Sequence, residues 1–150
     1  YWSIIQINME IKIVVIGKLK EKIYQKRVQK YLQWISKDVK IEIVYLKDTN
    51  NKILTKMDKF KKNNFFSICL SENGIQMSSN AFSKFIFNNK EKLSFIIGGP
   101  DGHSSEILNE ADYVLSFSKM TMPHEMATLV LIEQIYRALS IKKGSKYHRE

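Results

Sequence analysis

The chain has 150 residues, 44% of them hydrophobic, a net charge of +9 and a pI near 9.5. That length suits one domain able to bury a core of its own, and no stretch reaches the roughly 18 consecutive apolar residues of a membrane span. A single cysteine, Cys69, excludes an internal disulfide framework and points to a reducing, cytoplasmic compartment.

In chain order, Tyr1 to Asn8 lack the cationic front, apolar centre and small-residue cleavage site of a secretory signal, and read as an extension before the fold. The domain proper is expected from Met9 to Glu150. "IKIVVIG" (Ile11 to Gly17) is a β-branched run ended by glycine, a buried strand. From Glu21 to Ile35, apolar Ile23, Val28, Tyr31, Leu32 and Ile35 recur at near-helical spacing. Val39 to Leu46 reads as a second strand. Lys47 to Asn64 is polar and basic, weakly helical around Ile53 to Phe60, and is expected to be a mobile excursion.

"FFSICL" (Phe65 to Leu70) is the next strand, closed by the loop "SENG", after which Ser79 is placed to cap a helix. "LSFII" (Leu93 to Ile97) runs into a loop with three glycines, "IGGPDG". A short helix near Glu106 to Glu110, the strand Tyr113 to Phe117, the loop "SKMTMP" and a helix from His124 to Leu139 complete the order. Strands alternating with helices give an α/β fold with a mostly parallel sheet, whose ligands sit beyond the carboxyl ends of the strands. The loops "LSENG", "IGGPDG" and "FSKMTM" all lie there.

Several chemistries are excluded. The glycine loop is neither G-x-G-x-x-G nor a P-loop. His103, His124 and His148 are far apart and give no metal-ligand spacing, so no metal is expected. Ser104 and Ser105 lack a nucleophile-elbow context, and Cys69 inside an apolar strand reads as an inert buried thiol. The basic charge fits a nucleic-acid partner or a lysine-rich composition. The last helix is apolar on most of its surface, so another subunit is one candidate to cover it. Glu133 and Arg137, four apart, fit an intrahelical ion pair or a functional arginine. The tail "KKGSKYHRE" fits a solvated end or an aromatic among cations that clamps bases.

Taken in order, "IGGPDG", "LSFSKMTMPH", "LIEQIYRA" and the closing "YHRE" resemble the RlmH family of SPOUT-class methyltransferases, over essentially Met9 to Glu150. The resemblance implies a C-terminal trefoil knot, an exception to the rule against knotted chains, and a homodimer. It implies methyl transfer from S-adenosylmethionine to N3 of a pseudouridine in 23S rRNA of the assembled ribosome. The cofactor residues it implies are Leu70, Gly98 and Gly99 with Phe117, Ser118, Lys119, Met120, Thr121 and Met122. His124, Arg137 and His148 become catalytic candidates with roles unassigned, and Tyr147, His148 and Arg149 an RNA grip. One departure stands out: Thr128 occupies a position where many members carry arginine. With no room for a separate RNA-binding domain, the resemblance points to an RNA surface shared between two subunits, one lending its tail to the other. The rival readings are another SPOUT enzyme acting on tRNA or a ribose hydroxyl, and a non-catalytic ribosome-associated RNA-binding protein.

Overall fold

A computed structural model describes residues 7–47, 50–99 and 102–149. The β-branched runs form strands β1 (Glu10–Ile16), β2 (Lys40–Leu46), β3 (Phe66–Gln76), β4 (Lys92–Ile97) and β5 (Tyr113–Ser116). Between and after them lie helices α1 (Lys22–Ile35), α2 (Asn50–Lys62), α3 (Ser79–Phe87), α4 (Ser105–Glu110) and α5 (His124–Lys143). The strands pair in the order β2-β1-β4-β3-β5, every pairing parallel.

Alternate residues of a strand face opposite sides, and here both sides are covered. Ile11, Ile13 and Val15 of β1 with Leu93, Phe95 and Ile97 of β4 pack under α1, α3 and α5. Val14, Ile16, Cys69 and Ile96 face the other way, under α2 and α4. This is why the central strands β1 and β4 end in continuous apolar runs, Ile13 to Ile16 and Phe95 to Ile97. Among the described residues no helix is long and apolar enough to cross a membrane, and no cluster of His, Cys, Asp and Glu is placed to hold a metal.

Four expectations need correction. The basic stretch after β2 is no excursion: α2 buries Ile53, Met57 and Phe60, spaced i, i+4, i+7 beneath five lysines. Asp48 and Thr49, at its start, lie outside the described residues. The "SENG" segment does not close β3, which runs on to Gln76 through an irregularity. Helix α3 is capped by Ser78 rather than Ser79, its Oγ accepting from the Ala81 N–H at 3.1 Å. Helix α5 runs one turn past Leu139 to Gly144, whose φ of +72° ends it in the left-handed conformation.

Candidate functional site

A cleft of about 200 Å³ opens at the carboxyl ends of β3, β4 and β5, against the first turn of α5. Its first wall comes from β3. Leu70 pairs with Ile97 of β4 and Leu115 of β5, and β3–β5 pairing then breaks off and resumes at Ile75↔Leu115. The residues in the gap bulge outward, which brings Ser71 and Glu72 to the cleft. Gly74 makes the gap possible, since a Cβ there would lie 2.7 Å from the β5 backbone.

The second wall is the glycine loop. Gly98 lines the cleft, and a Cβ on it would sit 3.0 Å from the Gly102 carbonyl carbon and 3.2 Å from His103 Cε1. Gly102, at φ +72°, donates its N–H to the Gly99 carbonyl at 3.0 Å and closes the turn. Pro100 and Asp101 are outside the described residues. Gly99 flanks the lining without joining it. The loop also delivers His103, which was not singled out from the sequence as a site residue. One ring nitrogen, Nε2, lies 3.1 Å from the Ile96 carbonyl, while Nδ1 is buried with no hydrogen-bond partner. Burial holds this imidazole below its ordinary value, opposed by the Ile96 and Leu70 carbonyls and the Glu72 carboxylate.

The third wall is the loop after β5. Phe117, Ser118, Met120, Thr121 and Met122 line the cleft, with Met120 79% exposed at the lip; Lys119 is exposed and does not join the lining. The Ser116 hydroxyl donates to the Ser118 carbonyl at 2.9 Å, and Ser118 Oγ accepts the Met120 N–H at 3.0 Å, so local hydrogen bonds set the loop's shape. His124 and Ala127 close the cleft from α5.

His124 is held from below. Its Nε2 lies 2.9 Å from the Lys18 carbonyl, and the ring covers Gly17, where a Cβ would come within 3.3 Å of Nε2. Next to it the buried Glu125 carboxylate accepts the backbone N–H groups of Lys20 and Glu21, capping α1 from another helix where Glu21 offers no side-chain cap. Thr128 is fully buried, and its hydroxyl donates to the His124 carbonyl at 2.7 Å.

The other catalytic and RNA candidates are not at the cleft. Arg137 lies thirteen residues along α5, about 20 Å away at 1.5 Å per residue. It forms the ion pair with Glu133 at 2.7 Å, and its Nη1 lies 3.1 Å from His148 Nδ1. The tail therefore folds back instead of fraying. The Tyr147 hydroxyl donates to Glu133 Oε2 at 2.7 Å and lies 3.3 Å from the Tyr31 hydroxyl, with its ring edge-on to Tyr136 and under the Arg137 guanidinium. Burial, then the Tyr31 hydroxyl and the Glu133 carboxylate, raise the Tyr147 phenol above its ordinary value and keep it protonated. Arg149 is exposed beyond this cluster. Cys69 is fully buried under α4, and burial pushes its thiol up to about 12.

Comparison with known proteins identifies this architecture. Residues 9–148 match the family described as "Predicted SPOUT methyltransferase". The ribosomal RNA large subunit methyltransferase H of Clostridium kluyveri is 38% identical over an alignment covering 94% of this chain and 100% of that protein. The protein of the same name from Clostridioides difficile is 39% identical, with the same coverage of each. A solved structure of a probable methylase family protein from Haemophilus influenzae Rd KW20 shares the fold, with a TM-score of 0.55 at 12% identity over 95% of this chain and 71% of that one. With the three motif loops meeting in one cleft, the chain belongs to the SPOUT methyltransferase family and is an enzyme of methyl transfer.

Proposed function

We propose that this enzyme transfers a methyl group from S-adenosylmethionine to N3 of a pseudouridine in 23S rRNA, on assembled ribosomes in the cytoplasm. It does so as a homodimer with the C-terminal trefoil knot of its family. The observation that carries the reading is the cleft itself: the bulge at Ser71 and Glu72, the residues Gly98, Gly102 and His103, and the loop residues Phe117, Ser118, Met120, Thr121 and Met122 converge on it from the ends of β3, β4 and β5. The target class follows from the relatives, which are named as methyltransferases of large-subunit ribosomal RNA.

The lining suits S-adenosylmethionine. Leu70, Ile97 and Met122 offer an apolar wall to a purine, while Ser71, Glu72 and Ser118 offer polar groups to a ribose and a cationic end. The buried, unpartnered His103 Nδ1 is a further acceptor or donor for a bound molecule. When bound, the cofactor supplies an electrophilic methyl group. The chain must then hold the acceptor base in line and remove or compensate the imide proton of N3. Of the three catalytic candidates only His124 lines the cleft. With its Nε2 proton donated to the Lys18 carbonyl, Nδ1 keeps a lone pair that can take that proton.

The dimer supplies the remaining candidates. The outward face of α5 carries Met126, exposed, then Leu129 and Val130, half-buried, and then Glu133 and Arg137. Two such faces packed antiparallel cover the apolar stripe and set the Arg137–Tyr147–His148 cluster of one subunit beside the His124 end of the other.

The test is methyl transfer from labelled S-adenosylmethionine to ribosomes lacking the modification, with mass analysis of the nucleosides. N3-methylpseudouridine in 23S rRNA is expected. Label in tRNA or on a ribose would assign a different SPOUT acceptor, and cofactor binding without transfer to any RNA would leave a binding protein. Mixing inactive His124→Ala and His148→Ala variants should restore activity after subunit exchange. No recovery would refute the shared site.

A further inference from the structure

Helix α1 has fourteen residues, four of them cations (Lys22, Lys26, Arg27 and Lys30), and no acid. All four are exposed, and none takes part in an ion pair among the described residues. Some lysines elsewhere are paired, whereas no residue of α1 itself is acidic. Lys12 meets Glu42 at 2.6 Å, Lys62 meets Asp58 at 3.1 Å and Lys143 meets Asp38 at 2.9 Å. Lys22, Lys26 and Lys30 are four apart, so they climb one side of the helix at about 6 Å per step. Like charges at that spacing destabilise a helix, and no acidic partner among the described residues offsets them. Beside them Gln25, Gln29 and Gln33 repeat the same spacing, and with Lys26 and Lys30 they line a shallow groove.

The stripe begins at the cleft. The loop that leads into α1 gives its Lys18 carbonyl to His124 and the N–H groups of Lys20 and Glu21 to Glu125. Gln25 reaches back to the Leu19 carbonyl at 2.6 Å, which fixes the first turn of α1 to that loop. Lys18 and Lys20 are themselves exposed, so positive charge runs from the cleft wall along the helix.

We infer that α1 is a track for the phosphate backbone of the substrate RNA, with the lysines neutralising phosphates and the glutamine amides reaching phosphate or ribose hydroxyls. This rests on the RNA-methylating reading and deepens it. Like charge argues against a second copy of the chain on this face. A bilayer is disfavoured because Val28, Tyr31 and Ile35 of α1 are buried in the core, which leaves Ile23 as the one large aliphatic side chain exposed on this helix.

The test compares ribosome binding and methylation by the wild type and a Lys22→Gln/Lys26→Gln/Lys30→Gln variant across a salt series. Three lost phosphate contacts should reduce the slope of log K against log salt by about 2, which is roughly a 50-fold weaker complex near 0.15 M salt. KM for ribosomes should rise accordingly, with kcat and S-adenosylmethionine affinity unchanged. Lys→Arg replacements at the same positions should restore binding. A control with the same charge loss, Lys52→Gln/Lys59→Gln/Lys84→Gln, should bind nearly as the wild type. The inference is overturned if the wild type methylates ribosomes while the α1 variant matches it, or if the control loses as much. Unchanged ribosome binding with lysine-dependent binding to phosphatidylglycerol vesicles would assign the stripe to a membrane and also overturn it. A wild type that neither binds nor methylates ribosomes would instead remove the RNA reading beneath it.

Discussion

Gly74→Ala is the smallest change that should dismantle the cleft. A Cβ at this position would lie 2.7 Å from the carbonyl carbon and oxygen of Val114 and from the carbonyl carbon of Leu115. Carbon atoms pack comfortably at about 3.5–4.0 Å, so the overlap is close to an ångström and is with backbone, which has no rotamer to yield. Strand β5 must retreat. That disrupts the Ile75↔Leu115 and Gln76↔Ser116 pairings and loosens the Ser116 hydroxyl from the Glu72 and Ser118 carbonyls. Overpacking costs about 1–3 kcal/mol and each lost hydrogen bond about 1 kcal/mol, so a destabilisation near ~3 kcal/mol is expected in urea unfolding. Because the bulge presents Ser71 and Glu72 and the same hydroxyl shapes the third wall, cofactor affinity by calorimetry should fall at least about tenfold, on the scale of one to two lost hydrogen bonds. A variant that loses less than about 1 kcal/mol and binds S-adenosylmethionine as before would refute the account of how β3 and β5 make the cleft.

Three further outcomes follow from the same geometry. Glu125→Ala strands the N–H groups of Lys20 and Glu21; thermal melts should show a loss of about 1–3 kcal/mol, with less for Glu125→Gln, which keeps an acceptor, and equal loss for both would mean the charge alone mattered. Burial holds His103 below 6.5, so as pH falls from there the unfolded chain takes up a proton that the folded chain resists. The stability that neutral His103 contributes should be full above about 6.5 and decline below it, and the slope between about pH 5 and 8 should be shallower in His103→Gln in unfolding series. Gly17 has φ +96° under the His124 ring, so Gly17→Ala should cost about 1–2 kcal/mol of backbone strain and displace the imidazole. In a double-mutant cycle with His124→Ala the effects on kcat/KM should be strongly non-additive, whereas additivity would separate Gly17 from His124.

The parts of the fold legible in the sequence are those where burial and period agree. The runs at Ile13 to Ile16 and Phe95 to Ile97 are apolar because both faces of a parallel sheet are covered. Helix α1 shows its buried side as Val28, Tyr31 and Ile35. Elsewhere, polar residues laid over an element hide it. Five lysines in α2 mask the Ile53, Met57, Phe60 stripe that holds it to the sheet. Ser71, Glu72, Asn73 and Gly74 resemble a loop because a bulged strand ending at a cleft has no alternation to show. The site divides similarly. The three loops are placed by strand ends, which sequence order reveals, so Leu70, Gly98 and the 117–122 segment come together. His103 escaped notice because its role depends on a turn closed by Gly102, and the folding of Tyr147 onto Glu133 depends on side-chain contacts with no local signal.

The first turn of α5 explains why cleft and RNA track belong to one device. His124 walls the cleft and holds the Lys18 carbonyl, and Glu125, the next residue, caps α1. Thr128, one turn on, is fully buried and ties its hydroxyl to the His124 carbonyl, so it stiffens this junction. The cations here stand on α1, whose start is fixed to the same two side chains. The loop that leads into α1 and the imidazole at the cleft are therefore held in place by the same few hydrogen bonds.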